Sequence, residues 1–145
     1  MIPKIISGKI HNDDRGSLKY NNNFDLSPIK RMYLIENDNA LIKRGWQGHK
    51  IEQRWFTATS GHFLIQLLKI DHWENPSNNL KSILFELSSA TFDVLHIPSG
   101  YVTYIESQAL DSKLLVMSDY KLGEIEDDFK YTLDKFEVTK NRKLK

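Results

Sequence analysis

Apolar residues along this chain recur at alternate positions in short runs, and the runs are cut every few residues by Gly, Pro, Asn, Asp or Ser. That pattern predicts strands over residues 4–10, 17–20, 29–36, 53–59, 62–71, 82–87, 94–97, 102–106 and 113–118. Within one of them, Ile83, Phe85 and Leu87 share a packed face while Ser82, Leu84 and Glu86 share a mixed one. Within another, Phe63, Ile65 and Leu67 line one face, and Leu64, Leu68 and Ile70 mostly line the other, as in a strand covered on both sides. Ser60-Gly61 before it reads as a hairpin turn from the preceding strand. Only residues 123–135, with Ile125, Phe129, Leu133 and then Phe136 at near-helical spacing, predict a helix. Short strands followed by one terminal helix define an all-β class, a double-sheet jelly roll or barrel that shelters its sheet edges.

The chain has 145 residues, enough for one substantial core, and reads as one domain over residues 1–137 with a basic C-terminal tail over 138–145. The tail reads as a solvated terminus rather than an anchor for acidic partners. With 20 basic and 19 acidic residues the net charge is +1, which leaves no broad electrostatic footprint for nucleic acid or an anionic membrane. Any phosphate must be held locally. There is no cysteine, which excludes disulfides, thiolate metal sites and a Cys nucleophile. Residues 1–10 lack the apolar core and cleavage site of a signal peptide, and no run approaches the roughly 20 apolar residues of a membrane span, so a cytoplasmic location is expected.

Two segments carry chemistry-bearing residues. In Arg44-Gly45-Trp46-Gln47-Gly48-His49-Lys50, the glycines permit close backbone approach and a bulge, while Arg44, His49 and Lys50 offer a phosphate clamp, a titratable base and a second cation. In Ile97-Pro98-Ser99-Gly100-Tyr101-Val102-Thr103, Pro98 and Gly100 make a turn into a new strand. In a jelly roll the two segments meet at the barrel mouth.

The first segment resembles the Arg-Gly-aromatic-His-x-His-Lys motif of the dTDP-4-keto-6-deoxyhexose 3,4-ketoisomerases and, more loosely, the Arg-Gly-Leu-His motif of the dTDP-4-dehydrorhamnose 3,5-epimerases, both RmlC-like cupins. The resemblance extends in order through Asp14-Arg15-Gly16-Ser17-Leu18, through Lys30 to Ile35 and to Ser118-Asp119-Tyr120, from about residue 5 to residue 137. Asp71 with Pro76-Ser77, Phe85-Glu86-Leu87-Ser88 and the 97–101 segment are similar to the epimerases. It implies a cupin jelly roll, a nucleotide-linked sugar as ligand, a homodimer and no cofactor.

The departures bear on mechanism. Gln47 stands at the first histidine of the ketoisomerase motif and at the epimerase base, and Thr103 stands at the histidine of the second cupin motif. With two cupin ligands replaced, no metal is expected, although Glu52 follows His49 at a spacing that suggests a ligand pair. Carbonyl migration between sugar carbons needs a base for the acidic C–H and a donor for the enolate oxygen. The resemblance implies His49 as the base and Tyr33 as the proton donor or oxyanion partner, with Arg31, Arg44 and Lys50 holding diphosphate or enolate. Gln47 and Thr103 can hydrogen-bond substrate but cannot take a proton.

Other readings stand beside these. His49 also fits a polar residue at a barrel rim, and Tyr33 a core residue with a satisfied hydroxyl. Trp46 is the aromatic best placed to stack on a base or sugar, since Trp55 and Phe56 are adjacent on a strand and at least one must enter the core. His96 fits a hydrogen-bonded core or lining residue, while His11, His62 and His72 fit the surface. Asp13, Asp14 and Arg15 form a charged turn, with dimer or nucleotide contacts as the alternative. Two function classes follow: a sugar-nucleotide isomerase or epimerase, and a catalytically silent cupin that binds a nucleotide sugar or serves as a partner protein.

Overall fold

The computed structural model describes residues 1–139. Among them are twelve strands and no helix: β1 (Lys4–Ile6), β2 (Lys9–Asp13), β3 (Gly16–Tyr20), β4 (Arg31–Glu36), β5 (Lys43–His49), β6 (Arg54–Ser60), β7 (His62–Lys69), β8 (Ile83–Ser88), β9 (Val94–Ile97), β10 (Tyr101–Ser107), β11 (Lys113–Ser118) and β12 (Phe129–Lys130). Two antiparallel five-stranded sheets, β1-β9-β6-β11-β4 and β12-β5-β10-β7-β8, enclose the main core, and β2-β3 form a separate hairpin. The all-β jelly-roll reading therefore holds. Residues 140–145, most of the basic tail, lie outside the described residues.

Alternation assigns the faces. Phe56 and Ala58 of β6, Phe63, Ile65 and Leu67 of β7, Leu95 of β9, and Leu114 and Val116 of β11 meet between the sheets. On β7 the opposite face is buried too, with Leu68 joining Trp46, Val102, Tyr104 and Phe136 in a second cluster. A third cluster on the far side of the other sheet gathers Trp55, Val94 and Met117 under Phe24 and Ile29.

Four sequence expectations are corrected. Ser60-Gly61 does not close a hairpin, since β6 and β7 belong to different sheets. Gly61, at φ +73°, turns a corner against Ser112, whose Oγ accepts from the His62 amide at 3.2 Å. The first run divides into β1 and β2 around Ser7 and Gly8, where the Gly8 amide donates to Asp93 Oδ1 at 2.9 Å. Residues 43–49 form β5, an interior strand of its sheet that the glycines disguised. Finally, residues 123–135 form no helix: Phe129 and Lys130 pair with Gly48 and Gln47, and Tyr131 exchanges backbone bonds with Trp46 at 2.8 and 3.2 Å. Amides paired with another strand are not available for i→i−4 bonds. This C-terminal strap carries Tyr131, Phe136 and Val138 onto the second cluster.

The β5–β10 pair contains the bulge that the glycines permit. Gln47 faces Thr103 and Gly45 faces Tyr104, so the register steps over Trp46. A Cβ at Gly45 would lie 2.8 Å from the Thr103 carbonyl oxygen, and one at Gly48 would overlap the Tyr101 carbonyl and sit 2.5 Å from Val102 Cα. Gly48→Ala is therefore expected to cost about 1–3 kcal/mol through overpacking. Urea denaturation reads this as a lower midpoint, and an unchanged midpoint would show that β10 yields freely.

Candidate active site

The bulge decides what faces the space between the sheets. Reading back along β5 from His49, every second residue gives His49 and Gln47, and the extra residue then brings Arg44, not Gly45, onto the same face. Opposite them on β10 stand Tyr101, Thr103 and Ile105. These six line a cavity of about 350 Å³, completed from the other sheet by Tyr33, Ile35 and Glu36 of β4, Arg54 and Phe56 of β6, Ile97 and Val116. Five of the eight residues nominated from sequence are outside the question of access: Tyr33, Arg44, Gln47, His49 and Thr103 all line this cavity.

The other three do not. Trp46 is the bulged residue and turns to the opposite face, fully buried, with its ring 5.1 Å from Tyr104 and 5.4 Å from Phe136. It is a core residue beneath the strap, so the stacking role expected of it is withdrawn. Lys50, one residue past the strand, is exposed in a separate depression with Asp71, His72 and Trp73. Arg31 lies over the ring of Tyr33, 4.8 Å from its centroid, outside the cavity lining. Of the remaining aromatics, Phe56 faces the cavity and Trp55 the far side, where it stacks on His96 at 5.0 Å. His96 in turn donates from Nε2 to Gln53 Oε1 at 2.7 Å, a satisfied packing residue. His11 and His62 lie beside Asp13 and Glu86, each at 3.5 Å, and His72 is exposed. Arg15 closes the charged hairpin turn on Asp13 at 2.7 Å.

His49 is 8% exposed. Its Nδ1–H donates to the backbone carbonyl of Asp127 at 2.7 Å, which fixes the neutral tautomer with Nε2 unprotonated. Burial, followed by the nearby Arg54 cation, holds the imidazole below its ordinary pKa of 6.5, against the opposing pull of the Asp127 carbonyl and the Glu52 and Asp127 charges. The ring is thus a neutral base at pH 7. Burial also pushes the Tyr101 phenol up, so it stays protonated.

Along one wall of the cavity runs a charged network. Glu52 Oε1 accepts from Arg54 Nε at 2.9 Å, from Arg54 Nη2 at 2.8 Å and from Ser118 Oγ at 2.6 Å. Arg54 Nη1 donates to the Tyr33 hydroxyl at 2.9 Å, which leaves the phenolic proton free for a ligand oxygen. Gln47 donates through Nε2 to Asp128 Oδ1 at 2.7 Å, and Thr103 Oγ1 donates to the Gln47 carbonyl at 3.3 Å. Arg54, Asp127 and Asp128 were not nominated from sequence. Arg54 could have been found, since it shares a strand face with Phe56 two residues on; the aspartates are 75 to 81 residues from what they bind and leave no local signal.

Among the described residues His49, Glu52 and Asp127 bring potential metal-ligating atoms within 4.8 Å of one another. Asp127 is already committed: its Oδ1 accepts from the Lys50 amide at 2.9 Å, and its Oδ2 accepts from the Ile51 and Glu52 amides at 2.8 Å each. Nδ1 of His49 carries the proton given to the carbonyl. The group fits a hydrogen-bond network better than a metal centre.

No family model and no curated protein matches the sequence. Solved structures do match. A variant of the 3,4-ketoisomerase QdtA from Thermoanaerobacterium thermosaccharolyticum, in complex with TDP-4-keto-6-deoxyglucose, superposes with a TM-score of 0.69 at 23% identity, covering 89% of this chain and 87% of that one. A 3,4-ketoisomerase from Helicobacter canadensis gives 0.63 at 28% identity over 86% and 87%. The dTDP-4-dehydrorhamnose 3,5-epimerase from Bacillus anthracis gives 0.65 at 13% identity over 91% and 75%. The chain has the RmlC-like cupin fold shared by these sugar-nucleotide ketoisomerases and epimerases. No helix among the described residues is long and apolar enough to cross a membrane.

Because the His49 pKa is depressed in the folded state, the unfolded chain binds a proton first as pH falls. The stability this group lends above pH 6.5 is therefore lost as pH drops from that value toward the folded pKa. His96 is depressed by burial as well and adds to the slope. Melting temperatures at pH 7.5 and pH 5.5 are expected to differ less in His49→Asn than in the wild type; an equal difference would mean that His49 titrates normally.

Proposed function

We propose that this chain moves the carbonyl of a nucleotide-linked 4-keto-6-deoxy sugar to the neighbouring carbon, or inverts a carbon beside it, by proton transfer through an enediolate. The observation that carries the reading is a single buried imidazole in the cavity wall, neutral and with its one proton committed to Asp127, beside a phenol held by Arg54. The likeness to ketoisomerases and epimerases, one of them bound to TDP-4-keto-6-deoxyglucose, supports the substrate class.

In this mechanism Nε2 of His49 takes the proton from C3. The C–H electron pair forms the C3–C4 double bond, and the former carbonyl oxygen receives the charge and then the Tyr33 proton. Return of a proton to C4 and loss of the C3 hydroxyl proton complete the 3-keto product; return of a proton to C3 from the opposite face, with the O4 proton given back to Tyr33, restores the 4-keto group and gives the epimer. Arg54 stabilises the phenolate left on Tyr33. Arg44 at the open side of the cavity, its Nε bound to Asn37 Oδ1 at 2.6 Å, is the cation best placed for the diphosphate.

A specific observation favours a second reading, the silent binder: the two positions where the cupin motifs expect histidine hold an amide tied to Asp128 and a hydroxyl tied to the Gln47 carbonyl. Proton NMR of dTDP-4-keto-6-deoxyglucose in D₂O separates the two. The isomerase reading expects deuterium exchange at C3 and a new keto sugar, both abolished in His49→Ala, with kcat lowered by about 10²- to 10⁴-fold in Tyr33→Phe. Saturable binding without exchange in the wild type would overturn it and establish the binder.

The reading includes a homodimer. Edge strand β4 is paired on one side only and leaves Met32 69% and Leu34 46% exposed, an unpaired apolar row that a second copy would cover. Light scattering behind size exclusion should give twice the chain mass, and the monomer mass at high micromolar concentration would remove this part.

A further inference from the structure

Asp127 does not line the cavity, yet it is 4% exposed and makes more long-range hydrogen bonds than either proposed catalytic side chain. Its carboxylate caps three successive amides, those of Lys50, Ile51 and Glu52, just beyond β5. Its own carbonyl accepts the Nδ1 proton of His49. These two halves reinforce each other. The carboxylate pins Asp127 to the turn, and the pinned backbone keeps its carbonyl 2.7 Å from the imidazole.

The same turn sets the other side of the cavity. Glu52 is the third capped residue, and its carboxylate is what orients Arg54 of β6, whose Nη1 reaches the Tyr33 hydroxyl on β4, two strands away in the same sheet. One carboxylate therefore stands behind both the base on β5 and, through Glu52 and Arg54, the phenol on β4. A buried anion accepting three amide hydrogens is rigid and fully satisfied, as a positioning group requires.

We infer that Asp127 is the positioning residue of this site, fixing the tautomer of His49 through its carbonyl and the orientation of Tyr33 through the turn that its carboxylate caps. The inference rests on the proton-transfer reading for its effect on turnover, but the tautomer itself is observable without any substrate. Asp128 provides the comparison, because its carboxylate binds Gln47 while the carbonyl that accepts from His49 Nδ1 is that of Asp127.

Long-range proton–nitrogen spectra of ¹⁵N-labelled protein at neutral pH read the tautomer directly. The wild type and Asp128→Ala are expected to show a protonated Nδ1 and a bare Nε2 at His49, whereas Asp127→Ala should show a mixture of tautomers. In turnover, Asp127→Ala should lose about 30- to 100-fold in kcat with KM within about threefold. Asp127→Asn keeps one oxygen for two of the amides but sets an NH₂ against the third, so it should fall between the two. A wild-type tautomer together with wild-type kcat in Asp127→Ala overturns the inference. Should that variant fail to fold, Asp127→Asn decides, since unchanged tautomer and kcat there overturn it equally. If the wild type turns over no keto sugar, the isomerase reading has failed and the spectra alone judge Asp127: a wild-type His49 protonated on Nε2 would overturn it, and the expected contrast between variants would uphold it.

Discussion

The close approach of β5 to β10 is the constraint on which the site depends. Two glycines let the strands come together where side chains would strike backbone, and the extra residue between them resets the phase of β5. A regular pairing would place Gly45 on the cavity face and Arg44 outside it. The bulge instead gives the cavity a cation, and it gives the core under the strap a tryptophan. The polarity of one wall and the packing of the opposite face are thus settled by a single register step.

The second organising feature is an ion pair buried where hydrophobic packing would ordinarily be cheaper. Glu52 and Arg54 are each about one-tenth exposed, and their interaction must outweigh substantial desolvation. The pair is tolerable because its polar atoms are well used: Glu52 Oε1 takes three donors, and Arg54 spends its third nitrogen on Tyr33. Such a pair contributes little net stability compared with apolar residues of the same volume. What it does supply is a link from the turn that follows β5, through Arg54, to Tyr33 on β4.

The fold was largely legible because short β-rich apolar runs bounded by turn residues are a local signal, as β7, β9 and β11 show. The failures share a cause. The near-helical spacing of Ile125, Phe129, Leu133 and Phe136 is real in the sequence, but the backbone there spends its amides on β5. Ser60-Gly61 carries the composition of a hairpin turn, and nothing local distinguishes a turn within a sheet from a corner between sheets. At the site, the motif resemblance named Tyr33, Arg44, Gln47, His49 and Thr103, which all line one cavity, Arg44 only because the bulge breaks the alternation of β5. Trp46 was misplaced because a bulge inverts inside and outside for one residue. Asp127 and Asp128 were invisible because a hydrogen bond that spans most of the chain has no periodicity to betray it.

The strap has a consequence for how function is lost. The imidazole and the carbonyl that orders it are 78 residues apart, so the proton's place on the ring is a property of the assembled molecule and not of the motif around His49. The strap adds only a two-residue strand to its sheet, and local openings of such segments cost less than unfolding the whole domain. Each detachment returns the histidine to the tautomer mixture of a free imidazole while both sheets stay folded. Heat should therefore extinguish the base at temperatures where the barrel is still intact, making the temperature of inactivation and the temperature of melting two separate quantities.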